Sequence, residues 1–359
     1  MNIHDATEHY ETWLRQRIPV VASQLRDKHA NMRKDPVAFL RGTFYRWAQL
    51  WPTVDATVRH APTVLAVGDL HVDSFGTWRD SEGRLSWGVD DFDDAYPLPY
   101  TNDLVRLAAS LKIAIDTGTS QIRLSDGCDA IIESYTTTLR HGGDPIVLAE
   151  ASEHMDKLGL AELKPPADFW QTLTAWPAAR GPVPAAVTRA LRATLPDRRL
   201  AFRVVRREAG DGSLGQPRYV AIADWDGGRI AREAKALVPS ACEWAAGRRG
   251  RGQPYYMRTM QSAMRSPDPF QRVVGAWLVR RLSPDSNPIA LADLSAKRDE
   301  AVLLGAMGTD TANVHLGTTR QRVALMADLR RRPSRWLRDA AKAMAKTMEQ
   351  EWKTYRDAT

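Results

Sequence analysis

The sequence predicts an α+β protein with a large, mainly helical part and a small antiparallel sheet. Three observations carry this. Apolar residues recur at spacings of three and four in several long segments, the period of amphipathic helices. Two short apolar runs, residues 63–67 and 84–89, each lead into an acidic turn. Residues 201–237 alternate β-prone runs with glycine-bearing turns, the mark of hairpins.

Taken in order, residues 8–28 read as one amphipathic helix, with Tyr10, Leu14, Ile18, Val21 and Leu25 on its stripe. Residues 36–50 read as a second, opened by Pro36. Strands follow at 63–67 and 84–89. Thr101 or Asn102 is expected to cap a helix bearing Leu104, Leu107, Ala108 and Leu111. Residues 126–140 give another, with Ala130, Ile131, Tyr135 and Leu139 aligned. The proline-rich stretch 164–184 reads as a connector.

Strands are then expected at 201–207, 218–225 and 229–237, with a hairpin turn at Asp226-Gly227-Gly228. By propensity, residues 232–237 could equally start a helix. Residues 247–252 read as a flexible basic loop. From 270 onward the chain reads as mainly helical, ending in a helix over 336–355 capped by Ser334, with Leu337, Ala341, Met344, Met348 and Trp352 on one side. The segments suggest a helical stretch over 1–60, a first helical-lobe part over 61–195, a β lobe over 196–262 and completing helices over 263–359.

Hydrophobic residues make up 43% and charged residues 26% of the 359, which excludes a mostly disordered chain. A formal charge of +7 favours anionic partners. Cys128 and Cys242 form no CxxC, so neither a disulfide framework nor a cysteine zinc site is expected. No apolar run approaches the ~20 residues of a membrane span, and the N-terminus is unlike a secretory signal. A cytoplasmic protein with no membrane partner is the expectation. The Arg-rich segments 249–251 and 330–332 suit solvated surface, so nucleic acid is not an expected partner.

Gly210, Gly212 and Gly215 form a GxGxxG. A dinucleotide fold would need it between a strand and a helix. Here β-prone residues stand on both sides, the arrangement in which a loop folds over nucleotide phosphates. An ordinary hairpin loop would show the same pattern. Lys235, on the third strand, could reach phosphates, with Glu243 as its candidate partner. Asp69-Leu70-His71-Val72-Asp73-Ser74 and Asp90 to Asp94 supply carboxylates after two strands. Phosphoryl transfer needs one carboxylate at the attacking hydroxyl and others on Mg²⁺. Asp is also common in turns and caps. Gly68-Asp69-Leu70-His71 is similar to the first motif of dimetal phosphoesterases too, but no Gly-Asn-His follows.

The run from Val67 to Gly76, Asp91-Phe92-Asp93-Asp94 and the stretch Pro97 to Ala108, in this order and with Phe39 to Tyr45 upstream, resemble the uncharacterised bacterial domain-of-unknown-function family 2252. The first two also resemble the catalytic loop and metal motif of aminoglycoside-phosphotransferase-like kinases. The resemblance implies a bilobal protein-kinase-like fold, circularly permuted because the catalytic loop precedes the glycine loop. Residues 302–316, closing on Asn313-Val314-His315-Leu316, then resemble the helix that normally precedes the catalytic loop.

It further implies an ATP- and Mg²⁺-dependent phosphotransferase acting on a small hydroxyl-bearing molecule. Asp69 would be the catalytic base and Asp91 the metal ligand. Gly210, Gly212, Ser213 and Gly215 would form the phosphate loop, and Lys235 with Glu243 the phosphate-pairing couple. Asp103 would order the catalytic-loop backbone, and His315 would be structural. Ser74 stands where the pattern has a metal-binding Asn, with Asp73 beside it as the substitute ligand. That departure makes a catalytically impaired nucleotide-binding module the alternative, besides a metal-dependent phosphoesterase.

Overall fold

The computed structural model describes residues 1–358 except 152–164, 180, 209, 210, 249, 251, 287, 288, 290, 292, 293, 295, 296 and 319. At the N-terminus the single helix expected over 8–28 is two, Ile3–Arg15 and Ala22–Lys34. The break holds Pro19, which lacks an N–H and disfavours helical backbone in the residue before it. The 36–50 segment also divides, into Pro36–Gly42 and Phe44–Leu50. Asp35 caps the first piece by accepting from the amides of Val37 and Ala38. Thr43 leaves helical geometry between the two (φ −127°, ψ 35°). A Cβ on Gly42 would meet Met32 Sδ at 2.7 Å, so a glycine there lets these helices pack closely.

Strand β1 (Thr63–Ala66) pairs antiparallel with β4 (Tyr96–Pro99), and β2 (Phe75–Arg79) with β3 (Leu85–Val89). The sequence reading had only the first and third of these. The nesting brings the turn after β1 beside the turn after β3. Gly68 (φ +85°) shows how closely they meet, since a Cβ there would collide with the Asp94 carbonyl oxygen.

The helices Tyr100–Asp116, Leu124–His141, Lys297–Leu316 and Trp336–Asp357 build the main core. The expected caps are not used. Pro99 precedes the first of these helices. Thr101 donates to the Val58 carbonyl, while Asn102 bonds Trp47 and Gly68. The last helix starts after Arg335, not Ser334. Thr101 and Asn102 are drawn into tertiary bonds, which outweigh local capping in a buried helix.

A third sheet, of five strands, runs β5-β6-β7-β9-β8, all neighbours antiparallel. Its strands are β5 (Arg203–Arg206), β6 (Arg218–Trp225), β7 (Gly228–Ala236), β8 (Arg272–Val274) and β9 (Trp277–Leu282). Asp226 and Gly227 both have positive φ, as a tight β6–β7 hairpin requires. Residues 232–236 are strand, so pairing on both edges overrides their helical propensity. The chain beyond 270, expected to be mainly helical, supplies β8 and β9. A tight turn at Gly275 (φ +62°) joins them, and β9 takes its place in the sheet by pairing with β7.

Period two then sorts the sheet's faces. Tyr219, Ala221, Ala234, Ala236 and Val279 pack on the Ala185–Arg192 helix. On the opposite face Val205, Val220, Ile222, Ala231 and Leu282 are apolar and meet Leu173. The same face turns charged towards Arg218, Glu233, Lys235 and Arg280.

Candidate active site

The acidic wall begins at the turn after β1. Asp103 accepts from the amides of Val67 (2.7 Å) and Gly68 (3.0 Å) and is itself bonded by His315 Nε2 (3.0 Å), whose Nδ1 meets Tyr135 Oη (2.8 Å). This buried chain fixes the backbone that presents Asp69. Arg106, fully buried, holds Asp69: its Nε donates to Oδ1 at 2.7 Å and its Nη2 contacts the same oxygen. Among the described residues Oδ2 accepts no hydrogen bond. Burial pushes the Asp69 carboxyl up, with Arg106 opposing. Burial, with Arg41 and Arg106, also keeps His71 well below its usual range, so its ring is neutral.

Ser74 Oγ donates to the Asp69 carbonyl (3.2 Å) and accepts from the His71 amide (3.0 Å), so its hydroxyl ties the turn together. Asp73 pairs with Arg41 at 3.4 Å. Neither bond was foreseen.

From the other turn come Asp90, Asp91, Asp93 and Asp94. Lys235, 144 residues beyond Asp91, reaches them: its Nζ lies 3.3 Å from Asp91 Oδ2 and in contact with Asp93 Oδ2. Two carboxylates share one ammonium, so one ionises easily and the other reluctantly. Burial pushes Asp91 up, but Lys235, the Asp93 amide and Arg280 together outweigh it and hold it below the usual range. Burial and the charge of Asp91 push Asp93 up to about 6 against Lys235. Burial, then Asp69, push Asp94 up to about 7 although it accepts from the Ala241 amide. Asp93 Oδ1 is buried, with no hydrogen-bond partner among the described residues.

The basic wall is the charged end of the sheet. Glu233, wholly buried, takes Arg207 Nη1 at 2.9 Å, Arg218 Nη1 at 3.2 Å and Arg280 Nε at 2.8 Å. Burial raises its carboxyl, yet the three guanidiniums hold it well below its usual range. The Lys235–Glu243 couple is not what forms: among the described residues the ion-pair partners of Lys235 are Asp91 and Asp93. Period two offered a signal for this. Glu233 and Lys235 lie two apart on β7 and so share a face, and Glu233 was the residue passed over.

A cavity of about 300 Å³ separates the walls. It is lined by Asp69, Asp91 and Asp93 on one side and by Arg207, Arg218 and Arg280 on the other. Gly212 and Ser213 also line it, whereas Gly210 lies outside the described residues. The loop leans on the N-terminal helices. Lys28 Nζ donates to the Gly212 carbonyl (3.1 Å), and a Cβ on Gly212 would stand 2.9 Å from the Arg41 carbonyl oxygen. Gly215 (φ +96°) abuts Leu25. Close packing thus accounts for these two glycines.

Among the described residues no three His, Cys, Asp or Glu side chains form a ready metal cage. The oxygen donors present are paired carboxylates, Asp91 and Asp93; Mg²⁺ in general is held by one or two carboxylates together with waters or phosphate oxygens. Asp93 Oδ1 is without a hydrogen-bond partner among the described residues, and burial, with the neighbouring carboxylates, raises Asp93 and Asp94.

The chain is similar to a family described as an uncharacterized protein conserved in bacteria (DUF2252), whose model matches residues 17–168. No curated protein and no solved structure matches the chain. The matched span holds the acidic wall and Arg106 and ends before the sheet begins. No helix among the described residues is long and apolar enough to cross a membrane.

Proposed function

We propose that the protein is an ATP- and Mg²⁺-dependent phosphotransferase acting on a small hydroxyl-bearing molecule, built on a permuted kinase-like fold. The observation that carries the reading is the contact of Lys235, on the third strand of an antiparallel sheet, with Asp91 across a cleft that also holds Asp69. The proposed permutation is supported where the Lys297–Leu316 helix ends: His315 reaches the Asp103 carboxylate that orders the Asp69 turn, and Thr318 Oγ1 accepts from the Leu65 amide (2.7 Å).

Asp69 orients the acceptor hydroxyl and takes its proton on Oδ2, while Arg106 fixes the carboxylate through Oδ1. Lys235 reaches the phosphates, and Gly212 and Ser213 line the same cavity. Asp91 and Asp93 are the residues to hold Mg²⁺, which when bound neutralises phosphate charge. Phosphoryl transfer in such a site is mainly a matter of positioning and electrostatics.

One observation favours a nucleotide-binding module instead. Ser74 Oγ is spent inside the turn, so it does not offer a second metal ligand. A dimetal phosphoesterase has less support, since the only imidazole in the turn, His71, accepts from the Asp73 amide at 3.2 Å. An ATP-consumption screen over hydroxylated metabolites separates the readings: acceptor-stimulated consumption supports transfer, and ATP binding without any consumption supports the module.

A further inference from the structure

Three guanidiniums on one buried carboxylate are more than a structural pair requires. A single Arg would neutralise Glu233, and each extra buried cation adds a desolvation cost. The set of Arg207, Arg218, Arg280 and Glu233 carries a formal surplus of two positive charges. Each guanidinium has about five N–H donors. Glu233 takes one bond from each, and Ser213 Oγ takes a second from Arg218 at 2.5 Å. Arg280 has one further anionic neighbour, Asp90, at 3.8 Å. Arg218 Nε, in a side chain 5% exposed, has no hydrogen-bond partner among the described residues. Most of these donors therefore have no protein acceptor among the described residues, and all three arginines line the cavity.

The set is also held in place. Arg218 and Arg280 stand on neighbours of β7 in the same face as Glu233, and Arg207 follows β5 directly. A rigid fork with spare planar donors is suited to the oxygens of a phosphoryl group.

We infer that Arg207, Arg218 and Arg280, poised by Glu233, form a seat for a phosphoryl group on the sheet wall of the cleft, a task that the helix-packed glycine loop leaves open. The seat rests on the phosphotransferase reading only for the source of that group, which is either the donor nucleotide or a phosphorylated acceptor. Its place beside Lys235 and Asp91 favours the donor.

Calorimetric titration of the full chain with inorganic tripolyphosphate, and separately with ATP, tests this at fixed ionic strength. Arg207 and Arg280 are 24% and 26% exposed, so Arg207→Gln and Arg280→Gln are the variants most able to fold, which a thermal melt verifies. Each is expected to weaken tripolyphosphate about 10–100-fold, the worth of a charge-assisted bond. Arg189→Gln, an exposed charge loss on the helix behind the sheet, is expected to leave it within about twofold. If Arg280→Gln does not fold, Arg280→Lys keeps the charge without the fork and should still weaken binding.

A parallel loss for ATP assigns the seat to the donor; unchanged ATP affinity beside weakened tripolyphosphate assigns it to an acceptor. Tripolyphosphate binding equal to wild type in both folded Gln variants overturns the seat, as does no binding to wild type. ATP consumption that survives in those variants with ATP affinity intact would then leave the phosphotransferase reading standing. Arginine-dependent tripolyphosphate binding with no ATP consumption under any condition keeps the seat and removes that reading.

Discussion

The acidic wall of the cleft rests on two turns about 22 residues apart, braced by buried groups behind them: Arg106 on Asp69, and His315 with Asp103 on the backbone. The basic wall is assembled from Arg207, Arg218, Lys235 and Arg280, which only strand pairing brings together. One wall is therefore set by local chain geometry and a fixed helical core, the other by sheet register. A one-residue slip of β7 or β9 would turn the basic wall to the opposite face, while the acidic wall would survive it.

The largest expected effect falls on the acidic wall. Asp69→Asn should cut acceptor-dependent ATP turnover about 10²–10⁴-fold, the usual contribution of a positioned base, with the melting temperature and ATP affinity near wild type. Equal losses in affinity and turnover would instead make Asp69 a structural partner of Arg106. On the basic wall the strongest test is Glu233→Gln. It leaves three guanidiniums without their carboxylate, and breaking such a buried set costs about 3–5 kcal/mol, readable by denaturant unfolding at pH 7. A cost below about 1 kcal/mol would show that the arginines do not depend on Glu233.

A smaller effect separates the walls by pH. Asp93 and Asp94 have folded values of about 6 and about 7, above those of the unfolded chain. Their protonated forms thus favour the folded state below the unfolded value, and that gain is lost as pH rises through about 6 to 7. Stability should fall from pH 5 to pH 8, and Asp94→Asn, whose Oδ1 can still accept from Ala241, should remove about 1–2 kcal/mol of that fall after allowance for partial exposure. Mg²⁺ should raise the melting temperature more at pH 8 than at pH 5. A stability that rises over this range would contradict the charge frustration described. The smallest effect is Ser74→Ala, which removes the bonds to Asp69 and His71 and should cost about 1 kcal/mol in unfolding experiments.

The same contrast explains what could be read in advance. The placement of Asp69 and Asp91 in turns after strands, and of Asp103 at the start of a helix, was readable because it is local. The β6–β7 hairpin was readable from Asp226-Gly227. β9 was passed over although Gly275 (φ +62°) precedes it and Ser283-Pro284-Asp285 follows, because nothing local says that Trp277 to Leu282 pairs with β7. Arg106 sat in view within a helix whose apolar face drew attention away from it. Glu243 was the nearest acidic residue after Lys235 in sequence, yet the carboxylates that meet Lys235 come from 144 and 142 positions earlier. Tertiary pairing of that span has no signature in one chain's sequence.

The central claim, that the two walls jointly hold a nucleotide through its phosphates and Mg²⁺, is tested most directly by ATP titration of wild type and Lys235→Ala, with and without Mg²⁺. Wild type should bind ATP more tightly with Mg²⁺, and Lys235→Ala should lose about tenfold or more in affinity while remaining folded. Absence of ATP binding, or binding indifferent to both Mg²⁺ and Lys235, would contradict the account.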